Sequence, residues 1–291
     1  PRMSTAVPAT PATREASDAG RRRDAGILLG ILGVVVFSAT LPMTRLAVAD
    51  LHPVFIAFGR AAVAGIAAIL LLALRRPPLP TPRQWRLLAE TALGVVVGFP
   101  LFSSIAMKTL PAAHGAIVVG LMPLATAMAA VLVARERPSV GFWLCALLGT
   151  ALVTGYASSE SGGITAGDWA LLAAVALGAL GYARGGLLSR DMDGDLVISW
   201  ALVLSLPVTV GITLWSVADG WAAKAGLRDV GAAAWLGFAY VSLFSMWIGF
   251  FFWYRGLAAG GVARVGQTQL LQPFFTVLIA ALLLGEALDA K

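Results

Sequence analysis

The chain has 291 residues, of which 59% are hydrophobic and only 12% are charged. An average soluble domain carries about twice that share of charged residues, so the apolar surplus of this chain must face lipid. Most of the 21 lysines and arginines lie in the N-terminal tail and in short loops between apolar runs. That distribution is typical of membrane topology signals and argues against a nucleic-acid surface.

Sites that need metal ligands or nucleotides are not expected. The single Cys145 lies inside an apolar run, and with only two histidines in the chain a protein-bound transition metal is not expected. There is no Walker loop, and no soluble domain that could hold one. We therefore expect no cofactor, and we expect the partners to be a small-molecule substrate and the lipid bilayer. The oligomeric state stays open.

The apolar runs predict an all-α membrane protein, a polytopic helical bundle. Residues 1–24 lack an apolar period and are expected to form a disordered cytoplasmic tail. A helix needs about 20 apolar residues to cross the hydrocarbon core. Nine runs meet that requirement, and we number them as spans 1 to 9: 25–47, 53–74, 87–107, 112–134, 140–156, 168–188, 196–217, 232–254 and 261–284.

The basic residues predict the orientation of these spans. Thirteen lysines and arginines fall in the N-terminal tail and in the loops on its side of the membrane, four fall on the other side, and four lie within spans. The positive-inside rule places the basic side in the cytoplasm. We therefore expect a multi-pass protein of the cell inner membrane with a cytoplasmic N-terminus.

Spans 4 and 9 share a pattern that indicates an internal repeat. In each of them a proline, Pro123 or Pro273, precedes a glutamate, Glu136 or Glu286, by 13 residues. Because five spans per repeat is an odd number, the second repeat would enter the membrane upside down. The expected organisation is a first five-span repeat at 25–156, an external linker at 157–167 and a second repeat at 168–291, with a tenth span to follow.

Several of these residues resemble a known family. They are Arg60 of span 2, the run Ala112-Ala113-His114-Gly115-Ala116 leading through Pro123 to Glu136, and Gln272-Pro273 leading to Glu286. Together they resemble the ten-span drug/metabolite transporter superfamily in its EamA-type branch, over about 25–286. The resemblance implies export or exchange of amino acids, related metabolites or drugs, and the YddG-like amino-acid exporters are the nearest suggestion.

Polar side chains at membrane depth predict where a substrate binds, since they are costly there and usually face a cavity or a partner. In span 9, Gln269, Gln272 and Thr276 follow an i, i+3, i+7 spacing and share one helical face. Pro273 removes the helical donor of the Gln269 carbonyl, which is expected to stay free. Arg60 could meet a substrate carboxylate, or it could snorkel or hold a loop carbonyl.

Other residues are weaker candidates, for which helix packing is the alternative. The remaining residues predicted to line a substrate path are Ser38, Ser103, His114, Met122, Trp200 and Trp247, and Thr40, Thr44 and Ser104 are further hydroxyls that could face the pore. The predicted kinks are Pro42, Pro100, Pro123 and Pro273. Glycines four residues apart, such as Gly94 and Gly98 or Gly256 and Gly260, predict close helix contacts. Trp253 and Tyr254 near the end of span 8 are typical of an interfacial aromatic belt.

These patterns predict a secondary transporter that moves small organic solutes, amino acids or related metabolites, by alternating access, with export as the expected direction. No Asp or Glu lies in the middle third of any span, where a proton- or sodium-coupling carboxylate usually sits. A channel or receptor is the alternative. An intramembrane enzyme is a weaker alternative, because His114, near the outer edge of the membrane, is the only side chain that could act as its catalytic base.

Topology can be tested by labelling with an impermeant maleimide. In a Cys145→Ala background, Ser159→Cys should be labelled in intact cells, and Arg76→Cys should be labelled only after the membrane is permeabilised. Labelling of position 76 but not of position 159 in intact cells would reverse the predicted orientation.

Overall fold

The computed structural model describes residues 11–141, 143–144, 147–148, 151 and 165–286. This part of the chain is helical almost throughout, and its only β pairing is an isolated bridge between Leu51 and Ala223. The all-α fold predicted from the apolar runs is therefore confirmed.

Within the described residues, eight helical stretches are long and apolar enough to cross a membrane. These stretches are Gly20–Ala47, Pro53–Arg75, Pro82–Met107, Ala112–Val133, Ala166–Leu188, Gly194–Ala218, Ala232–Gly260 and Val262–Leu284. They correspond to spans 1 to 4 and 6 to 9. Predicted span 5, at 140–156, lies mostly outside the described residues, as does most of the predicted linker.

The first helix begins at Pro11, earlier than expected. Residues 11–24, which we expected to be disordered, are helical in the structure, and residues 1–10 lie outside its described part. The physical reason is composition, because alanine, glutamate and arginine are good helix formers even without an apolar period.

Most spans are interrupted and consist of shorter helices. Span 1 comprises Pro11–Ser38 and Thr40–Ala47, and span 4 comprises Ala112–Val119 and Met122–Ala134. Span 3 contains Pro82–Thr91, a π-helix at Ala92–Gly98, and Phe99–Met107. Span 8 contains Ala232–Tyr240, a π-helix at Val241–Ile248, and Gly249–Gly260. Span 9 contains Val262–Gly266, a 3₁₀ helix at Gln267–Leu271, and Gln272–Leu284, and a further 3₁₀ turn, Leu227–Asp229, lies between spans 7 and 8.

The four prolines predicted as kinks each lie in the first turn after an interruption. Pro100, Pro123 and Pro273 occupy the first or second position of the helix they open, and Pro42 is the third residue of its helix. A proline lacks the N–H of a helical hydrogen bond, and its ring clashes with the carbonyl four residues earlier, so a helix readily restarts there. Their use in motion stays a prediction.

Spans 4 and 9 are joined by carboxylates. The Glu136 carboxylate, just after span 4, accepts hydrogen bonds from the backbone amides of Val262 at 3.0 Å and Ala263 at 2.8 Å, where span 9 begins. The first amides of a helix have no acceptor within it and carry partial positive charge. A carboxylate placed there accepts hydrogen bonds from these amides and balances their partial positive charge.

The reciprocal contact occurs at the other end of the same two spans. The Glu286 carboxylate accepts hydrogen bonds from the backbone amides of Ala112 at 3.0 Å and Ala113 at 2.9 Å, where span 4 begins. Residues 136 and 286 are 150 positions apart, as are residues 112 and 262. Because the end of each span meets the start of the other, spans 4 and 9 are antiparallel, as an inverted repeat requires.

Ion pairs define one face of the bundle. Asp195, at the start of span 7, pairs with Arg75 at the end of span 2 and with Arg255 near the end of span 8, both at 2.9 Å. We call this side, which also carries the 76–81 loop, the Arg76 face, and it is the face predicted to be cytoplasmic. The opposite side, which carries residues 108–111, is the Lys108 face.

Glycines allow the closest contacts between spans, as their spacing predicted. A Cβ atom on Gly256 of span 8 would lie 2.9 Å from the Gly26 carbonyl oxygen of span 1. A Cβ atom on Gly94 of span 3 would lie 2.5 Å from the Leu177 carbonyl oxygen of span 6. Both distances are too short for any side chain, so the expected close packing is confirmed at these pairs.

The carboxylate caps should contribute measurably to stability. Glu286→Ala and Glu136→Ala each remove an acceptor shared by two amides, and each should lower the free energy of unfolding by about 1–3 kcal/mol. The measurement is the apparent Tm in detergent, which should fall by several degrees. Asp191→Asn, at an exposed position on the Arg76 face, is the control. Cap variants as stable as this control would show that the caps are dispensable.

Candidate functional site

A narrow cavity lies where the two repeats meet, at the middle of the spans. Its lining comes from spans 1, 2, 3, 6, 8 and 9: Phe37, Thr40, Arg60, Val95, Phe99, Tyr182, Ser245, Phe250 and Gln272. Its volume is about 20 Å³. A single water needs roughly 10–15 Å³. The cavity therefore has room for only one or two waters.

Arg60 supplies the charge of this cavity. Its side chain is buried, and the residue is 2% exposed. Nε donates a hydrogen bond to the Val241 carbonyl at 3.1 Å, and Nη2 donates one to the Ser245 hydroxyl at 2.9 Å. The Ser245 hydroxyl in turn shares a hydrogen bond of 2.8 Å with the Thr40 hydroxyl. Within the described part of the chain, Nη1 has no hydrogen-bond partner.

The two π-helices place one side chain each in the cavity wall. Val95 belongs to the π-helix of span 3 and Ser245 to that of span 8, 150 residues later. π-helical turns are rare and occur frequently at functional sites. Equivalent backbone positions therefore present a methyl surface on one side and a hydroxyl on the other.

Aromatic rings fill the space between the cavity and the Arg76 face. The ring of Phe250 lies 5.0 Å from Phe37 and 6.0 Å from Tyr182. Trp253 lies 5.1 Å from Tyr182, and Tyr254 lies 5.2 Å from Phe250. These separations are typical of favourable aromatic pairs. We call these five residues the aromatic cluster.

The aromatic cluster corrects one prediction. Trp253 and Tyr254 are each 0% exposed, so the interpretation of them as an interfacial belt is wrong. The cause is a glycine in span 6, since a Cβ atom on Gly185 would lie 2.3 Å from the Tyr254 ring. The Tyr254 hydroxyl also donates a hydrogen bond to the Gly181 carbonyl at 3.3 Å. Spans 6 and 8 are thus close enough to enclose the ring completely.

The structure brings two of the ten predicted binding residues to the cavity, Arg60 and Gln272. The other two members of the polar face in span 9 contact neighbouring spans. The Gln269 amide nitrogen donates to the Thr126 hydroxyl at 3.3 Å, and the Thr276 hydroxyl donates to the Ser38 carbonyl at 2.8 Å. The Gln269 carbonyl was expected to be free, and this is wrong. The Gln272 N–H donates to it, because residues 267–271 form a 3₁₀ helix.

Hydroxyl and imidazole groups among the remaining candidates have hydrogen-bond partners outside the cavity lining. The Ser38 hydroxyl donates to the Val34 carbonyl at 2.7 Å, and the Ser103 hydroxyl donates to the carbonyl of Pro100 at 3.3 Å. His114 Nε2 lies 2.7 Å from an Asp168 carboxylate oxygen, near the Lys108 face.

The larger candidates also lie outside the cavity lining. Met122 is 1% exposed and packs in the core. Trp200 packs edge-on against Trp85, with ring centroids 5.5 Å apart. The Trp247 indole N–H donates to the Ser199 hydroxyl at 3.0 Å.

Sequence reasoning missed most of the lining as binding residues. Thr40 was already a candidate for the pore wall, and the missed residues are Phe37, Val95, Phe99, Tyr182, Ser245 and Phe250. The 150-residue offset that relates spans 4 and 9 also relates Val95 to Ser245, and that offset was a usable signal. The aromatic side chains gave no such signal, since apolar residues are common throughout every span.

Comparison with known proteins agrees with this architecture. Residues 24–155 and 165–291 each match the EamA-like transporter family. The chain belongs to this family. The two matched segments correspond to the two predicted repeats, so the resemblance noted from the sequence is confirmed. This EamA-like protein is a multi-pass membrane transporter.

Two individual proteins illustrate the similarity. The chain is 47% identical over 262 residues to "Uncharacterized transporter YdeK" of Bacillus subtilis (strain 168), which covers 90% of this chain and 89% of the relative. A solved structure described as "Crystal structure of protein" superposes with a TM-score of 0.71, covers 92% of each chain and is 18% identical. At that identity the second comparison shows the fold alone.

Access to the cavity can be tested by cysteine labelling in a Cys145→Ala background. Thr40→Cys and Ser245→Cys place a thiol in the cavity wall, where a small methanethiosulfonate reagent should reach it when the protein opens. Ser103→Cys, a buried hydroxyl of the same size outside the cavity, should react much more slowly. Equal reaction rates at positions 40, 245 and 103 would show that the cavity is no solute path.

Proposed function

We propose that this EamA-like transporter is a secondary carrier that moves small organic solutes, amino acids or related metabolites, across the inner membrane by alternating access. The observation that carries the proposal is the position of the cavity. It lies at the middle of the spans, between two antiparallel repeats, and beside the interruption of span 9 at Gln272. Inverted-repeat carriers bind their solutes at this place, where interrupted helices meet.

The two carboxylate caps support an alternating mechanism. The cap of Glu136 holds the Arg76 face of spans 4 and 9, and the cap of Glu286 holds their Lys108 face. A motion that opens one face and closes the other would strain one cap and leave the other intact. Both caps are formed here around a cavity with room for only one or two waters, so a bound solute requires the spans to move apart.

The composition of the cavity lining favours a solute with one polar and one apolar end. Phe37, Phe99, Phe250 and Val95 present apolar surface, whereas Thr40, Ser245, Tyr182 and Gln272 present hydroxyl and amide groups. An amino acid with an apolar side chain matches this division.

Orientation and direction belong to the proposal as well. Thirteen basic residues on the side of the N-terminus against four on the other side favour a cytoplasmic Arg76 face. Export is favoured by the resemblance to amino-acid exporters. Facilitated transport is favoured because no Asp or Glu lies in the middle third of any span.

Gln272 provides the test of this proposal. Purified protein in proteoliposomes should show saturable uptake of at least one solute from a panel of amino acids, with stimulation by the same solute on the opposite side. Gln272→Leu removes a hydrogen-bonding group from the cavity and should weaken transport about fivefold, because one neutral hydrogen bond contributes about 1 kcal/mol.

The matched control is Gln267→Leu in the same span. Gln267 does not line the cavity, and neither its amide oxygen nor its amide nitrogen has a hydrogen-bond partner in the described part of the chain. This variant should transport at close to the wild-type rate. A Gln272→Leu protein that is monodisperse and transports like the control would remove span 9 from the binding site. Flux that does not saturate would indicate a channel.

A further inference from the structure

We propose that the Nη1 nitrogen of Arg60 binds the carboxylate of the transported solute, so that the cavity accepts small monocarboxylates and amino acids with apolar side chains and rejects the matching amines. The inference rests on the proposed carrier function and deepens it. It assigns the charged end of the solute to one nitrogen atom of the chain.

The charge on Arg60 is not balanced by the protein. Its guanidinium group stays protonated under all physiological conditions. Both of its hydrogen-bond partners, the Val241 carbonyl and the Ser245 hydroxyl, are neutral. No ion pair joins Arg60 to a carboxylate in the described ranges, whereas Arg75, Arg86, Arg184, Arg190 and Arg255 each form one. A buried charge normally pairs with an opposite charge, and here a solute could supply it.

The hydrogen bonds that Arg60 does make fix the orientation of its guanidinium plane. Nε and Nη2 are held by span 8, at Val241 and Ser245, and Nη1 is left without a partner in a residue that lines the cavity. A planar guanidinium held in this way offers a directed donor to a carboxylate oxygen.

A second donor can lie beside the first. Because the Ser245 hydroxyl oxygen accepts a hydrogen bond from Arg60, its own proton is available to donate to the Thr40 hydroxyl, 2.8 Å away. Thr40 then keeps its hydroxyl proton for the second carboxylate oxygen. The hydrogen bonds from Arg60 to Ser245 and from Ser245 to Thr40 thus leave two donors, Arg60 Nη1 and the Thr40 hydroxyl, for one carboxylate. Hydrogen bonds connected in this way strengthen one another.

The rest of the lining explains why an amine should be rejected. No aspartate or glutamate is among the cavity residues that the structure describes. An ammonium group would meet neutral hydroxyl and amide groups and the repulsion of Arg60. An amino acid tolerates its ammonium group because its carboxylate neutralises Arg60, whereas an amine has no such compensation.

The experiment compares matched solutes on the purified wild-type protein in detergent by isothermal titration calorimetry. One set is L-leucine, 4-methylpentanoate and 3-methylbutylamine. The other is L-phenylalanine, 3-phenylpropanoate and 2-phenylethylamine. We expect the amino acid and the acid of at least one set to bind, and the amine of that set not to bind. Binding of the amines alone, or of none of the six, overturns the proposal without any variant.

Arg60→Gln tests the residue itself. The affinity for the acid should fall at least about tenfold, as expected when a charge-assisted hydrogen bond is lost. The apparent Tm without solute should stay the same or rise, because an unbalanced buried charge has been removed. An arginine that only holds the Val241 carbonyl would show the opposite, a lower Tm with unchanged affinity, and that result would overturn the proposal.

Arg45→Gln is the matched control. Arg45 lies in span 1, and its Nη1 donates to the Met107 carbonyl at 2.6 Å. Its replacement should lower the Tm and leave the affinity unchanged. Binding without transport in proteoliposomes would refute the carrier function while leaving the carboxylate site in place. Saturable transport of amines that Arg60→Gln does not affect would refute the carboxylate site and leave the carrier function in place.

Discussion

Two carboxylates join the repeats of this protein at opposite faces of the membrane. Glu136 and Glu286 each accept two backbone hydrogen bonds from the first turn of the other repeat's interrupted span. These amides have no acceptor within their own helix, so each missing acceptor would be costly. The caps therefore set the antiparallel register of spans 4 and 9, and that register brings Gln272 to the middle of the bundle.

The repeats share a backbone plan and differ in side chains, and the site arises from that difference. Each has a π-helix at the same position, yet one presents Val95 and the other Ser245 to the cavity. Likewise Gln272 lines the cavity, whereas its counterpart Met122 is packed in the core. A symmetric cavity would offer the same groups on both walls, and this one separates polar from apolar surface.

The arginines of the bundle have two kinds of partner, carboxylates at the Arg76 face and neutral groups at membrane depth. On the Arg76 face, Asp195 pairs with Arg75 and Arg255, and Arg190 pairs with Glu136 at 2.8 Å. These pairs lie near water and tie the ends of spans together, so each contributes modestly. Arg60 lies about 10 Å inside its span, by the 1.5 Å rise of a helix, with neutral partners only. This contrast separates the arginines that tie spans together from Arg60, the proposed partner of a solute carboxylate.

The apolar runs along the chain were enough to predict the all-α fold and the eight described spans, because the transfer of apolar segments into lipid is local and roughly additive. The repeat could be predicted because spans 4 and 9 share the same proline-to-glutamate spacing. These patterns were not enough to predict the site. The polar face of span 9 divides between the cavity at Gln272 and packing contacts at Gln269 and Thr276. Tyr254 lies in the core because Gly185 lets spans 6 and 8 approach closely. Such contacts depend on how each helix is rotated about its axis and on π and 3₁₀ turns, which hydrophobic periodicity does not reveal. The contacts therefore form only when spans that are distant in the sequence pack together.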